Sequence, residues 1–162
     1  MINYIIIKTK TIMKKVLYIL FVFATLNLLS CASSKSSTTI AEGASISNYK
    51  YMVFGQNDED SSPELADIML MVHNELSSRL KVVSQMEAIR LMNTGEYVIS
   101  PRIMVKTEKW DGGHTYITIS LYDADTNQLV AVVKSSGIGL SISQDQALAF
   151  KALKKELDKV FK

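Results

Sequence analysis

From Thr115 to Asp123 the chain alternates strictly, with Ile117, Ile119 and Leu121 on one side and Tyr116, Thr118, Ser120 and Tyr122 on the other. That period of two predicts a strand with one face buried and one wet. A turn at Ala124 to Asn127 leads to a second β-rich run, Gln128 to Ser136, followed by Gly137 and Gly139. Upstream, Glu96 to Trp110 is long enough for a third strand, and Pro101, which cannot donate to a ladder, assigns its start to an edge or bulge. Asp111-Gly112-Gly113-His114 between them supplies the glycines a hairpin turn requires.

Elsewhere the period lengthens to three and four. Leu65, Ile68, Met69, Val72 and Leu76 make one stripe of an amphipathic helix running to about Arg79. It starts either at Ser61, which has Glu64 at capping-box spacing, or at Ser62 as the cap before Pro63. Ser84 with Glu87 opens a second, shorter helix to about Met92, stopped by Asn93-Thr94-Gly95. Ser143 with Gln146 opens the last, with Ala147, Phe150, Leu153, Leu157 and Val160 inward. Tyr49 to Phe54 and Lys81 to Val83 add two short strands. The order β-α-β-α-β-β-β-α, with a three-strand antiparallel meander, predicts an α+β two-layer sandwich with its helices on one face.

The first thirty residues follow neither period. Met13-Lys14-Lys15, an apolar run from Val16 to Leu29, and Ser30 before Cys31 form a signal peptide with its start at Met13. The run is shorter than the roughly 20 residues a membrane-spanning helix needs. Leu28-Leu29-Ser30-Cys31 resembles the lipobox of bacterial lipoproteins. The resemblance implies a diacylglyceryl group on Cys31, an acylated amine there, and stable anchoring through several chains. Ala32, in place of an aspartate after the cysteine, implies the outer membrane. The lack of acidic residues from Ala32 to Thr39 speaks against surface export, leaving the domain facing the periplasm. Ala32 to Ser47 has six serines, two threonines and no aromatic residue, too little apolar surface to offset its ordering entropy. It reads as a flexible tether with a reach of roughly 20 to 24 Å, and the folded domain as residues 48–162.

Composition changes this picture in three ways. Hydrophobic residues at 48% with 21% charged exclude a disordered chain and a polytopic membrane protein. The formal +2 belongs to the leader: Lys8, Lys10, Lys14 and Lys15 are four of the eighteen basic residues, and without them fourteen face sixteen acids, a net −2. Net charge thus gives no footprint for nucleic acid. The single cysteine, once lipidated, leaves no thiol for a disulfide, a nucleophile or a metal.

The element order, with Ser120-Leu121-Tyr122-Asp123-Ala124 leading through a turn to Gln128-Leu129-Val130, resembles small periplasmic lipoproteins of unknown function from Gram-negative bacteria. At the level of fold it is also similar to the N-terminal domain of the Tol periplasmic protein and to lipoprotein activators of penicillin-binding proteins. The anchor, the tether and the lack of catalytic motifs predict a membrane-anchored envelope lipoprotein whose domain is not an enzyme, needs no cofactor or metal, and binds a protein or an envelope polymer such as a glycan. The alternative is an envelope hydrolase with a site near His114.

Candidate chemistry is sparse. His73 falls beside the Val72 stripe as a boundary residue and His114 in a turn, too few ligands for zinc. No Gly-x-Ser-x-Gly nucleophile elbow occurs. Gly137-Ile138-Gly139 has Ile142 where a dinucleotide loop needs its third glycine. Asn57-Asp58-Glu59-Asp60 lacks the spacing of a calcium loop. Lys151, Lys155 and Lys159 form a basic stripe toward a helix C-terminus, where cations complement the dipole. Binding is assigned to Tyr116 and Tyr122, on the face opposite the aliphatic set, joined by Trp110 across the hairpin.

Overall fold

A computed structural model describes Lys15 and residues 32–55, 65–108 and 113–162. The leader, Cys31, the 57–60 acidic run, both caps proposed for the first helix, and Trp110 lie outside the described residues. The fold is α+β, with a six-stranded mixed sheet and three α-helices among the described residues.

The elements run β1 (Ser33–Ile40), β2 (Tyr51–Met52), α1 (Ala66–Ser77), β3 (Lys81–Val82), α2 (Gln85–Asn93), β4 (Val98–Glu108), β5 (His114–Asp123), β6 (Leu129–Ile138) and α3 (Ile142–Val160). In the sheet the order is β1-β6-β5-β4-β2-β3. β4, β5 and β6 form the antiparallel meander, β1 adds antiparallel to β6, and β2 pairs parallel with both β3 and β4. Pro101 lies just past Ile99, the last residue of β4 with a partner on β2, so its missing N–H falls where β4 has become an edge.

The alternation of β5 holds in three dimensions. Ile117, Ile119 and Leu121 are fully buried with Ile99, Val133, Leu153, Leu157, Val72 and Leu76 in the main core, between the sheet and helices α1 and α3. Each large aliphatic side chain withdrawn from water there contributes about 1.5 to 3 kcal/mol. Glu75 of α1 and Arg79, just past its C-terminus, clasp α3: Arg79 pairs with Glu75 and, at 2.5 Å, with Asp158, and Lys154 stands 3.5 Å from Glu75.

Helix α2 lies on the other face. Met52 and Ile99 point into the main core, whereas Val98, one residue away, joins Ala88 and Leu91 of α2 in a separate cluster with Tyr51 and Val53. Strand order explains the switch. The path steps outward from β2 to β3 and then back across β2 to β4, and right-handed crossovers put the helices of such opposed steps on opposite faces. The helices α1 and α3 thus share one face, and α2 shields only the far end of the other.

The largest departure from the sequence expectation is the tether. Residues 33–40 form an eight-residue strand, in register with β6 from Ser33↔Ile138 to Ile40↔Ala131, and Ile46, in a 3-10 turn at Ile46–Asn48, is buried in the main core. The compact unit begins at Ser33, not at residue 48. Three physical features hold this polar segment. Backbone pairing to β6 satisfies it, Ala41 extends the ladder by donating to the Val130 carbonyl at 2.8 Å, and the Ser36 hydroxyl donates to Glu156 of α3 at 3.1 Å.

Local corrections follow from the same packing. Gly137 lies within β6 rather than after it, because α3 crosses so closely that a Cβ there would stand 2.5 Å from the Ala149 nitrogen and nearer still to the Asp145 carbonyl. The cap of α3 is Ser141, whose Oγ accepts from the Gln144 N–H at 3.2 Å, and not Ser143. Its buried residues are Asp145, Ala149, Ala152, Leu153, Glu156 and Leu157, with Ala147 exposed. Ser84 does cap α2, accepting from the Glu87 N–H, but the Glu87 carboxylate turns to Arg90 at 2.6 Å instead of closing the box.

Candidate binding face

Alternation on four neighbouring strands sends one set of side chains to the core and the other to a face that α1 and α3 do not touch. Register places these outer residues in rows. Lys35, Ser136, Tyr116 and Lys106 lie side by side across β1, β6, β5 and β4; Ser37, Lys134, Thr118 and Met104 make the next row; Thr39, Val132, Ser120 and Arg102 the third. A groove of about 310 Å³ lies in this face, lined by Lys35, Ser37, Tyr116, Lys134 and Ser136.

Tyr116 is 38% exposed on this groove, and Tyr122 is half-buried further along β5. Neither lies under a helix of the main core. The Arg102 guanidinium sits 4.3 Å from the centre of the Tyr122 ring, within cation–π range, and reaches Asn127 Oδ1 at 3.3 Å. This fixes Tyr122 as a packed platform, while Tyr116 remains the accessible aromatic. The third residue assigned to binding, Trp110, lies outside the described residues.

At the hairpin end, His114 Nδ1 is 3.9 Å from Glu108 Oε2, and Glu108 also pairs with Lys106 at 3.1 Å. The His114 and Tyr116 rings are 5.7 Å apart. No serine or threonine hydroxyl is hydrogen-bonded to His114 among the described residues. His73 is a boundary residue of α1, its ring tilted against Phe54 at 4.2 Å. Of the lysine stripe on α3, Lys159 is committed to Glu156 at 2.9 Å.

A second groove, of about 280 Å³, opens between α2 and the β5–β6 turn, with Phe54, Ile89, Met92, Asp123 and Asn127 on its walls. Asp123 is occupied in building that turn. Its Oδ1 accepts from the Asp125 and Thr126 N–H groups and the Thr126 hydroxyl, and its Oδ2 from the Tyr49 hydroxyl at 2.9 Å. Burial alone would raise the carboxyl, but these hydrogen bonds outweigh it and hold Asp123 below the usual carboxylate range. Burial and the neighbouring carboxylate push the Tyr49 hydroxyl in the opposite direction, upward. Both groups are bound up in structure and neither is poised for proton transfer.

The alternation of β5 places Tyr116 and Tyr122 on this face, whereas Lys35, Ser37 and Lys134, which line the groove with Tyr116, were not anticipated. The reason is the tether: a segment read as flexible contributes no face. The Thr38-Thr39-Ile40 run of β-branched residues was the available signal.

No protein-family model matches the chain, and no curated protein matches it. Among solved structures the chain is similar to a point variant of the PelC dodecamer from Paraburkholderia phytofirmans, with 18% identity and a TM-score of 0.49, covering 80% of this chain and 98% of that one. A second PelC dodecamer structure from the same organism gives 14% identity and a TM-score of 0.48 over the same shares. Likeness at this level says nothing of activity.

Proposed function

We propose that this protein is a membrane-anchored bacterial envelope lipoprotein whose domain is a non-catalytic module binding a protein or an envelope polymer. The observation that carries the binding half is the uncovered face of the sheet, where a groove brings Tyr116 together with Lys35 and Lys134. An open face with an aromatic platform suits an extended partner, whereas a catalytic site wants an enclosed pocket with convergent polar groups. The anchoring half is supported by the signal peptide and the Leu28-Leu29-Ser30-Cys31 resemblance. Only Ala32 separates Cys31 from β1, so a lipid on Cys31 would hold the domain at the bilayer without a leash.

Each half has its own test. Cys31→Ala is expected to abolish incorporation of a labelled fatty acid and to release the protein from the membrane fraction; retention after carbonate extraction would overturn the anchor. The double variant Tyr116→Ala, Tyr122→Ala is expected to melt as the parent protein does within a few degrees yet lose the partners crosslinked to it in intact envelopes. Unchanged crosslinking at equal abundance would move the binding surface elsewhere.

A further inference from the structure

The uncovered face is cationic in a domain that is not. Lys35, Arg102, Lys106 and Lys134 project from it, while residues 32–162 sum to −2. Among the described residues, Glu108 at the hairpin end of these rows is occupied by Lys106 and His114. Among the described residues Lys35 and Lys134 have no carboxylate partner, although the rest of the domain carries acids in excess. They stand on adjacent strands two residues out of register, a diagonal of roughly 7 to 8 Å. Like charges at that separation repel, and the pair flanks the groove. An anion lying between them would relieve that repulsion.

The other outward residues of these rows narrow the anion. Ser37, Ser136, Thr118, Ser120 and Thr39 are hydroxyls, each able both to donate and to accept, which matches the mixed hydroxyls of a sugar chain. Lysine contributes donors only and, on its flexible stem, a point charge suited to a carboxylate in more than one position. Tyr116 offers a flat apolar surface with a polar tip at the level of these hydroxyls. An acidic peptide would be favoured by a free sheet edge, where backbone hydrogen bonds supply affinity, and the lysines here stand on the face. Single-stranded nucleic acid is held by stacking on successive exposed rings, and this groove has one.

Resting on the binding-module reading above, we propose that this face, along the row from Lys35 through Ser136 and Tyr116 to Lys106, is the seat of an acidic polysaccharide, a glycan whose sugars carry carboxylates. The row crosses four strands, roughly 14 Å, so the glycan lies across the strands rather than along them.

The test titrates the full-length lipoprotein in detergent micelles with polygalacturonate, alongside neutral dextran, poly-L-glutamate and an oligothymidylate. Polygalacturonate is expected to bind at least tenfold more tightly than the other three, with an affinity that falls steeply as salt is raised. The double variant Lys35→Gln, Lys134→Gln is expected to weaken it at least tenfold, and Tyr116→Ala at least fivefold. Lys151→Gln, an exposed lysine on the opposite side of the sheet, is expected to leave it unchanged. Thermal melts of each variant show that the fold survives. Equal binding of dextran, of poly-L-glutamate or of the oligothymidylate, or equal weakening by Lys151→Gln, overturns the proposal. Failure to bind polygalacturonate while crosslinking in envelopes still depends on Tyr116 and Tyr122 overturns the glycan and leaves the binding module standing.

Discussion

Toward the helices β5 turns Thr115, Ile117, Ile119 and Leu121, all fully buried; two strands away in the same sheet, β1 turns Ser34, Ser36, Thr38 and Ile40 in the same direction. Both strands lie under α3. In β5 the strand is written into its own side chains, since a slip of one residue would put three large aliphatic groups into water. In β1 the constraint is weaker: a slip would exchange Ser34, Ser36, Thr38 and Ile40 for Ser33, Lys35, Ser37 and Thr39, and none of these is a fully buried large aliphatic side chain. What fixes β1 lies outside it, in the free edge of β6, in the Glu156 carboxylate, and in the glycine that lets α3 come near.

Ile119 and Thr38 offer the sharpest contrast because both pair with Val133 and share one row of the sheet. Ile119→Ala is expected to cost about 2 to 5 kcal/mol, through lost transfer energy and the cavity left behind. Thr38→Ala is expected to cost no more than about 1 kcal/mol. Urea unfolding of the two variants under the same conditions measures the gap. A Thr38→Ala loss equal to that of Ile119→Ala would mean that β1 contributes a core of its own.

Gly137 comes next in size. A Cβ there would meet the backbone of α3 at Asp145 and Ala149, so the helix must move outward. Gly137→Ala is expected to cost about 1 to 3 kcal/mol, the usual range for overpacking. The displacement should reach β1 through Glu156, so amide exchange should quicken across 33–40 while the β4–β5 ladder stays protected. Uniform loss of protection would show that β1 and the meander unfold as one unit.

The same contrast accounts for what the residues disclosed. The meander, the α1 stripe and the cap at Ser84 were legible because each depends on periodicity or on chemistry within a few residues. The uncovered placement of Tyr116 and Tyr122 was legible too, since it needs only the alternation of β5. Residues 32–47 were not, because low apolar content is evidence about a segment standing alone, and β1 is held by partners about a hundred residues away. The position of α2 escaped for a related reason: its side of the sheet is decided by the order of β2, β3 and β4, which no local pattern carries. The groove failed with β1, since Lys35 and Ser37 could not be set beside Tyr116 until 33–40 became a strand.

A smaller effect tests the link between β1 and α3 directly. Ser36→Ala removes the hydroxyl donated to Glu156 while Lys159 still holds that carboxylate, so the expected loss is about 1 kcal/mol at neutral pH. Ser37→Ala, one residue along and on the opposite face, is expected to fall within about ±0.5 kcal/mol. Chemical denaturation of the pair decides between a specific bond and a general preference of β1 for hydroxyls.

The smallest effect is one of pH. Lys159 and the Ser36 hydroxyl hold the Glu156 carboxyl below its ordinary value of 4.5, despite burial that works the other way. A carboxyl depressed in the folded state stabilises that state fully above its unfolded pKa, and this contribution fades as pH falls through the folded one. Asp123 and Glu87 are depressed as well, so the total stability of the parent protein falls in acid for several reasons at once. Comparing the parent with Glu156→Gln isolates one of them. Their difference in unfolding free energy should be constant from pH 7 to about 5 and shrink below 4.5, as protonation makes the two side chains alike in charge. A difference that stays constant down to pH 3 would mean that Glu156 acts on β1 by its shape and hydrogen-bonding capacity alone, and that its charge adds nothing to the hold of α3 on the strand.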